Sequence, residues 1–116
     1  MQLSKIIDLV NGTIVVDGGV AAIDITSVCS ADLLSNVLRH GKKGALLVTC
    51  LNQPHVIRSA ELADIPAVLL ALGAIPVKDM VALAEEKKIV LLTTSLPMYT
   101  TCGILYGAGL RSCVED

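Results

Sequence analysis

Two short, uncharged aliphatic runs, Ala67-Val68-Leu69-Leu70-Ala71-Leu72 and Ile89-Val90-Leu91-Leu92, flank one amphipathic segment. Runs of this length and composition suit strands buried on both faces, which implies a parallel sheet covered by helices on each side. Between them Val77, Met80, Val81 and Ala84 recur at helical spacing, while Lys78, Asp79, Glu85 and Glu86 take the other positions. That pattern predicts a helix with one face for the sheet. A strand, a crossover helix and a parallel strand make a right-handed unit. The expected fold is therefore α/β: one domain over residues 1–116, a mainly parallel sheet with helices on both faces, and a possible N-terminal hairpin.

The same grammar extends in both directions. Ala45 to Cys50 reads as a buried strand, and Asn52 as the cap of a following helix with Pro54 in its first turn. Val56, Ile57, Ala60 and Ala63 form that helix's inward stripe, ended by Asp64-Ile65-Pro66. Leu3, Ile6, Ile7 and Val10 predict a first short helix stopped by Asn11-Gly12. Thr13–Val16 and Val20–Val28 read as extended runs around an Asp17-Gly18-Gly19 turn. The two could pair as a hairpin or join the main sheet. Ser30 and Asp32 suit the start of a helix carrying Leu34, Val37 and Leu38. A last helix runs from about Pro97 to Leu110, where Gly103, Gly107 and Gly109 suggest close approach of another backbone, in the same chain or a partner.

Composition narrows the function classes. Phe and Trp are absent, so the core must be aliphatic and densely packed. A net charge of -2, with both signs mixed, gives no footprint for nucleic acid or an anionic membrane. Ile89 to Leu110 is uncharged and long enough to span a bilayer, but its hydroxyls, Pro97 and glycines favour a strand, a polar turn and a buried helix. Lys5 and Asp8 interrupt the early apolar segment, so no signal peptide is expected. Four cysteines without a Cys-x-x-Cys pair point to reduced thiols and a cytoplasmic protein.

Asp32-Leu33-Leu34-Ser35, the run from Asn52 to Ile65, Gly73 to Lys88 and Leu91-Leu92-Thr93-Thr94 together resemble the DRTGG domain. The likeness covers the chain from about Thr13 onward. The sequence departs at the eponymous point, where Ala71-Leu72-Gly73-Ala74 stands in place of Thr-Gly-Gly. The resemblance implies a dimerising, regulatory α/β module without a demonstrated reaction. Such domains occur beside ligand-sensing CBS domains in nucleotide-regulated pyrophosphatases. They are similar to the N-terminal domain of HPr kinase/phosphorylase. Stand-alone members accompany iron-hydrogenase systems, which implies a protein partner in a redox or hydrogenase system. Kinase chemistry does not fit, because Gly41-Lys42-Lys43-Gly44 lacks the spacing and hydroxyl of a phosphate-cradling loop.

Three sets of residues are candidates for a site. Ligands of open parallel sheets bind outside the carboxyl ends of the strands. That places Thr49, Asn52, Gly73, Thr93, Thr94, Ser95, Thr100 and Thr101 where a phosphate or other anion, such as that of a nucleotide, would sit. The competing role for these hydroxyls is capping helices and satisfying turns. Cys29, Cys50 and Cys102, with His55 close by, could hold a metal or iron–sulfur cluster, against the commoner role of cysteine as a small buried hydrophobe. Met98, Tyr99, Gly103, Tyr106 and Gly107 could form an isologous homodimer face or pack on their own sheet. No catalytic residue is assignable and no cofactor is expected. The leading expectation is a non-catalytic, homodimeric regulatory or assembly module. The alternative is a redox or metal protein using the three cysteines.

Overall fold

The structure is a computed structural model and describes residues 1–31 and 42–114. The helix expected around Leu34, Val37 and Leu38 lies outside the described residues. The elements are α1 (Leu3–Leu9), β1 (Thr13–Val16), a 3₁₀ turn (Val20–Ala22), β2 (Ser27–Ser30), β3 (Ala45–Thr49), α2 (His55–Leu62), β4 (Ala67–Leu70), α3 (Lys78–Lys87), β5 (Val90–Thr93) and α4 (Met98–Gly107). Five strands form one sheet in the order β1-β5-β4-β3-β2. All neighbours are parallel except β1, which runs antiparallel to β5.

Side chains of the three central strands alternate between two aliphatic cores. Leu47, Val68, Leu70 and Leu91 meet Val56, Ile57 and Ala60 of α2 and Met80 and Ala84 of α3. Leu46, Val48, Leu69, Val90 and Leu92 meet Leu3 and Ile6 of α1 and Leu105 of α4. Helices thus cover both faces. Each fully buried Leu or Ile removed from water contributes about 1.5–3 kcal/mol, which is how a core without Phe or Trp holds together. The α3 stripe starts later than its spacing predicts. Val77 is the extended residue ahead of the helix and is 42% exposed, so Met80 and Ala84 carry the buried face.

The N-terminal strands do not form a hairpin. They occupy opposite edges of the sheet, and of the run expected over Val20–Val28 only Ser27 and Val28 fall in a strand, β2, which continues to Ser30. Asp17 lies on the path between them. Its Oδ1 accepts the N–H groups of Gly19 and Val20, each at 3.0 Å, and closes a turn that continues into the 3₁₀ turn at Val20. Those bonds, Val20's first, hold the Asp17 carboxyl below its ordinary pKa. The chain then crosses the α1 and α4 side, burying Val20 and Ile25, before it reaches the far edge. Gly18 sits so close to α3's end that a Cβ there would lie 2.7 Å from the Lys88 carbonyl oxygen. This close approach requires glycine.

The far edge is covered by the chain's own end. The Val28 N–H donates to the Arg111 carbonyl and the Cys113 N–H to the Val28 carbonyl, both at 2.9 Å, so residues 111–113 pair beside β2. Residues 89–110 divide into β5 and α4, and no described helix is long and apolar enough to cross a membrane.

Candidate functional site

Register brings the predicted edge together. Thr49, Leu70 and Thr93 are neighbouring partners at the ends of β3, β4 and β5. Beyond them the exits are laced to one another. Ala71 N–H donates to Thr49 O (3.0 Å), Thr94 N–H to Leu70 O (2.9 Å), Gly73 N–H to Thr94 O (2.9 Å) and Leu72 N–H to Leu96 O (2.8 Å). These four N–H groups are already used by the fold.

Most of the side chains expected to bind a ligand here have structural partners. Thr94 is buried; its hydroxyl donates to Val10 O at 2.7 Å and accepts the Leu96 N–H at 3.2 Å. The buried Thr49 hydroxyl accepts the Leu51 N–H at 3.1 Å. Thr101, also buried, donates back to Pro97 O at 2.9 Å within α4. Asn52 does not cap α2, which begins after Pro54 without a side-chain cap. Its amide instead spans to the β4–α3 loop, donating to Ile75 O at 2.6 Å and accepting the Val77 N–H at 2.9 Å. Thr93 is half-buried beside Thr13 of β1, while Gly73, Ser95 and Thr100 are exposed. Leu72 and Gly73 are both left-handed, with φ of 63° and 69°. In this loop Leu72 is 64% and Ile75 84% exposed. The edge therefore shows water an apolar tip above closed backbone, a surface suited to contact with another apolar surface.

A second exposed surface lies on α4. Thr101 and Leu105 face the core, and Met98 packs inward beside them. Tyr99, Gly103, Tyr106 and Gly107 are on the solvent side, with Tyr99 90% and Tyr106 62% exposed. A Cβ added at Gly103 or Gly107 would meet nothing within 4 Å. Among the described residues no other backbone makes the close approach expected of these glycines. A shallow depression of about 670 Å³ runs along Tyr99, Gly103, Ile104 and Tyr106.

The cysteines do not converge as a cluster requires. Cys29 lies in the α2/α3 core, whereas Cys102 packs against the α1/α4 core, with the sheet between them. The Cys102 thiol donates to Ser30 Oγ at 3.4 Å. Cys50 is half-buried after β3, and His55 is exposed. Among the described residues no group of three or more His, Cys, Asp or Glu side chains could hold a metal ion. The partner of Cys29 is Cys113, which also is buried. Burial, then the hydrogen bond to Cys113, pushes the Cys29 thiol up to about 12. Cys113 and Arg111, which sits over the Tyr106 ring at 5.2 Å, carried no signal in the sequence. Both lie past the last periodic segment, where spacing says nothing of contacts.

These features define a small α/β module with an internally bonded sheet exit and exposed apolar surfaces on its rim and last helix. The chain belongs to the DRTGG domain family, which it matches over residues 5–108. Its fold is similar to a crystal structure of the CBS and DRTGG domains of the regulatory region of Clostridium perfringens pyrophosphatase, complexed with the activator diadenosine tetraphosphate. That likeness has a TM-score of 0.77 at 14% identity, covering 90% of this chain and 45% of that one. No curated protein sequence matches.

Proposed function

We propose that this chain is a regulatory binding module that works by association and performs no catalysis. It pairs with a second copy through α4 and responds to a small ligand or a partner protein in the cytoplasm. The observation that carries this is the α4 stripe, where two tyrosines and two glycines of one helix face stand exposed, with no covering element among the described residues. Small residues between aromatic ones let two helices approach closely while burying large ring area. Ligand control is supported by the fold neighbour, a regulatory region complexed with a nucleotide activator. The family likeness points to a partner in a redox or hydrogenase system.

Sedimentation of the wild type and of Tyr99→Glu tests the pairing. The wild type should be dimeric and the variant monomeric with an unchanged circular dichroism spectrum. A nucleotide thermal-shift panel tests the ligand, since ligand at a hundredfold its Kd adds about 2.7 kcal/mol. A wild type that stays monomeric, with no shift from any nucleotide, defeats both parts.

A further inference from the structure

A cavity of about 180 Å³ opens where β2, α4 and the C-terminal segment meet. Val28, Leu105 and Leu110 form its apolar floor, and Ser30, Cys102, Tyr106, Arg111 and Ser112 its polar wall. Each hydroxyl oxygen on that wall already accepts a bond from the protein. Ser30 Oγ accepts from the Cys102 thiol, Tyr106 Oη from Arg111 Nη1 at 3.0 Å, and Ser112 Oγ from the Val114 N–H at 3.0 Å. Each of the three hydroxyls keeps its proton to donate and one further lone pair. The backbone carbonyls of Val28 and Arg111 are taken up by the seam between them. Among the described residues Arg111 has no carboxylate partner; its contacts are the Tyr106 oxygen and ring. A guanidinium has five donors and the phenol uses one. Among the described residues the cavity wall therefore offers the unused guanidinium donors, three hydroxyl protons and one positive charge.

We propose that this cavity binds the phosphate group of a small phosphorylated molecule or of free phosphate, with Arg111 as the forked donor and Ser30, Ser112 and Tyr106 completing the cradle. A tetrahedral oxyanion has enough acceptor oxygens for donors arriving from three elements, and guanidinium matches phosphate in a two-bond fork. The cavity is smaller than the roughly 300–1,000 Å³ of whole-ligand sites, so it takes a head group while the rest of the ligand lies outside. The site reaches the carboxyl end of β2 at Ser30 and shares Tyr106 with the α4 face proposed for self-association.

Amide-resolved NMR titrations with inorganic phosphate, ribose 5-phosphate, adenosine monophosphate and adenosine test this. Phosphate-bearing probes should shift the amides of Ser30, Arg111 and Ser112, and the binding should weaken with added salt. Arg111→Gln should weaken it about ten- to a hundredfold, and Ser112→Ala less, both with wild-type thermal unfolding. Esters binding more tightly than phosphate identify a phosphorylated metabolite; equal binding identifies free phosphate; either upholds the site. Adenosine matching its monophosphate at these amides, shifts confined to Lys87 and Lys88, no shift at all, or unchanged binding by both folded variants overturns it.

Discussion

The Thr94 hydroxyl donates to the Val10 carbonyl across 84 residues of sequence, at 2.7 Å and out of contact with water. It ties the end of β5 to the end of α1, whose last carbonyls have no partner inside the helix. Thr94→Val keeps the shape and removes the bond, leaving a buried carbonyl unsatisfied. The expected loss is about 1–3 kcal/mol in urea denaturation. Thr94→Ser, which keeps the hydroxyl, should recover most of it.

Asn52 should show its role by exchange more than by stability. Asn52→Ala removes both bonds to the β4–α3 loop at a partly exposed position, costing roughly 0.5–1.5 kcal/mol. The Val77 amide, whose acceptor is Asn52 Oδ1, should then exchange with deuterium much faster, while the Val68 and Leu69 amides inside the sheet change only with global stability. An unaltered Val77 rate would show that the loop holds itself.

The Cys29–Cys113 pair sets an alkaline limit. The folded Cys29 thiol keeps its proton to about 12, against an ordinary value of 9.0 for a free thiol. Across that window the folded state binds more protons than the unfolded state, so stability falls as pH rises through it and is unaffected below it. The slope is at most about 1.4 kcal/mol per pH unit. Cys29→Ala should flatten this slope between pH 9 and 12 relative to wild type. At neutral pH a thiol reagent should modify half-buried Cys50 and Cys102 well before Cys29 and Cys113.

Gly103 separates a helix fault from an interface. Nothing lies within 4 Å of a Cβ at this position, so Gly103→Ala should stabilise the isolated chain by up to about 1 kcal/mol through helix propensity. Where two copies meet through this face, the same methyl holds the helices apart. Thermal unfolding should rise while sedimentation shows weaker self-association. Unchanged association with raised stability would place the contact elsewhere.

Periodicity alone marked Ala67–Leu72 and Ile89–Leu92 as doubly buried, which holds except at the exposed Leu72 past the end of β4, and found the stripes of α1 and α2, because a 2.0 or 3.6 repeat reports directly which face meets a core. It also grouped Thr49, Gly73 and Thr94, because parallel strands joined by crossovers all end on one side. Their family likeness was legible for the same reason: it rides on the pattern of a shared fold. Roles within that group were not legible. Whether a threonine hydroxyl meets a ligand or the carbonyl of Val10 depends on a residue 84 positions away.

What the amino-acid order determined by itself was the layered α/β body, through local patterns repeated along the chain. What only the tertiary structure decided was every pairing between distant, unpatterned residues. β1 and β2 went to opposite edges, with the Asp17 turn and the 3₁₀ turn at Val20 on the path between them. Cys29 found Cys113 and not Cys102, because the sheet stands between the two cores and residues 111–113 return along β2. Arg111 came to rest over Tyr106 by that same return. Such contacts are fixed by how finished layers pack, and no repeat in the sequence encodes them.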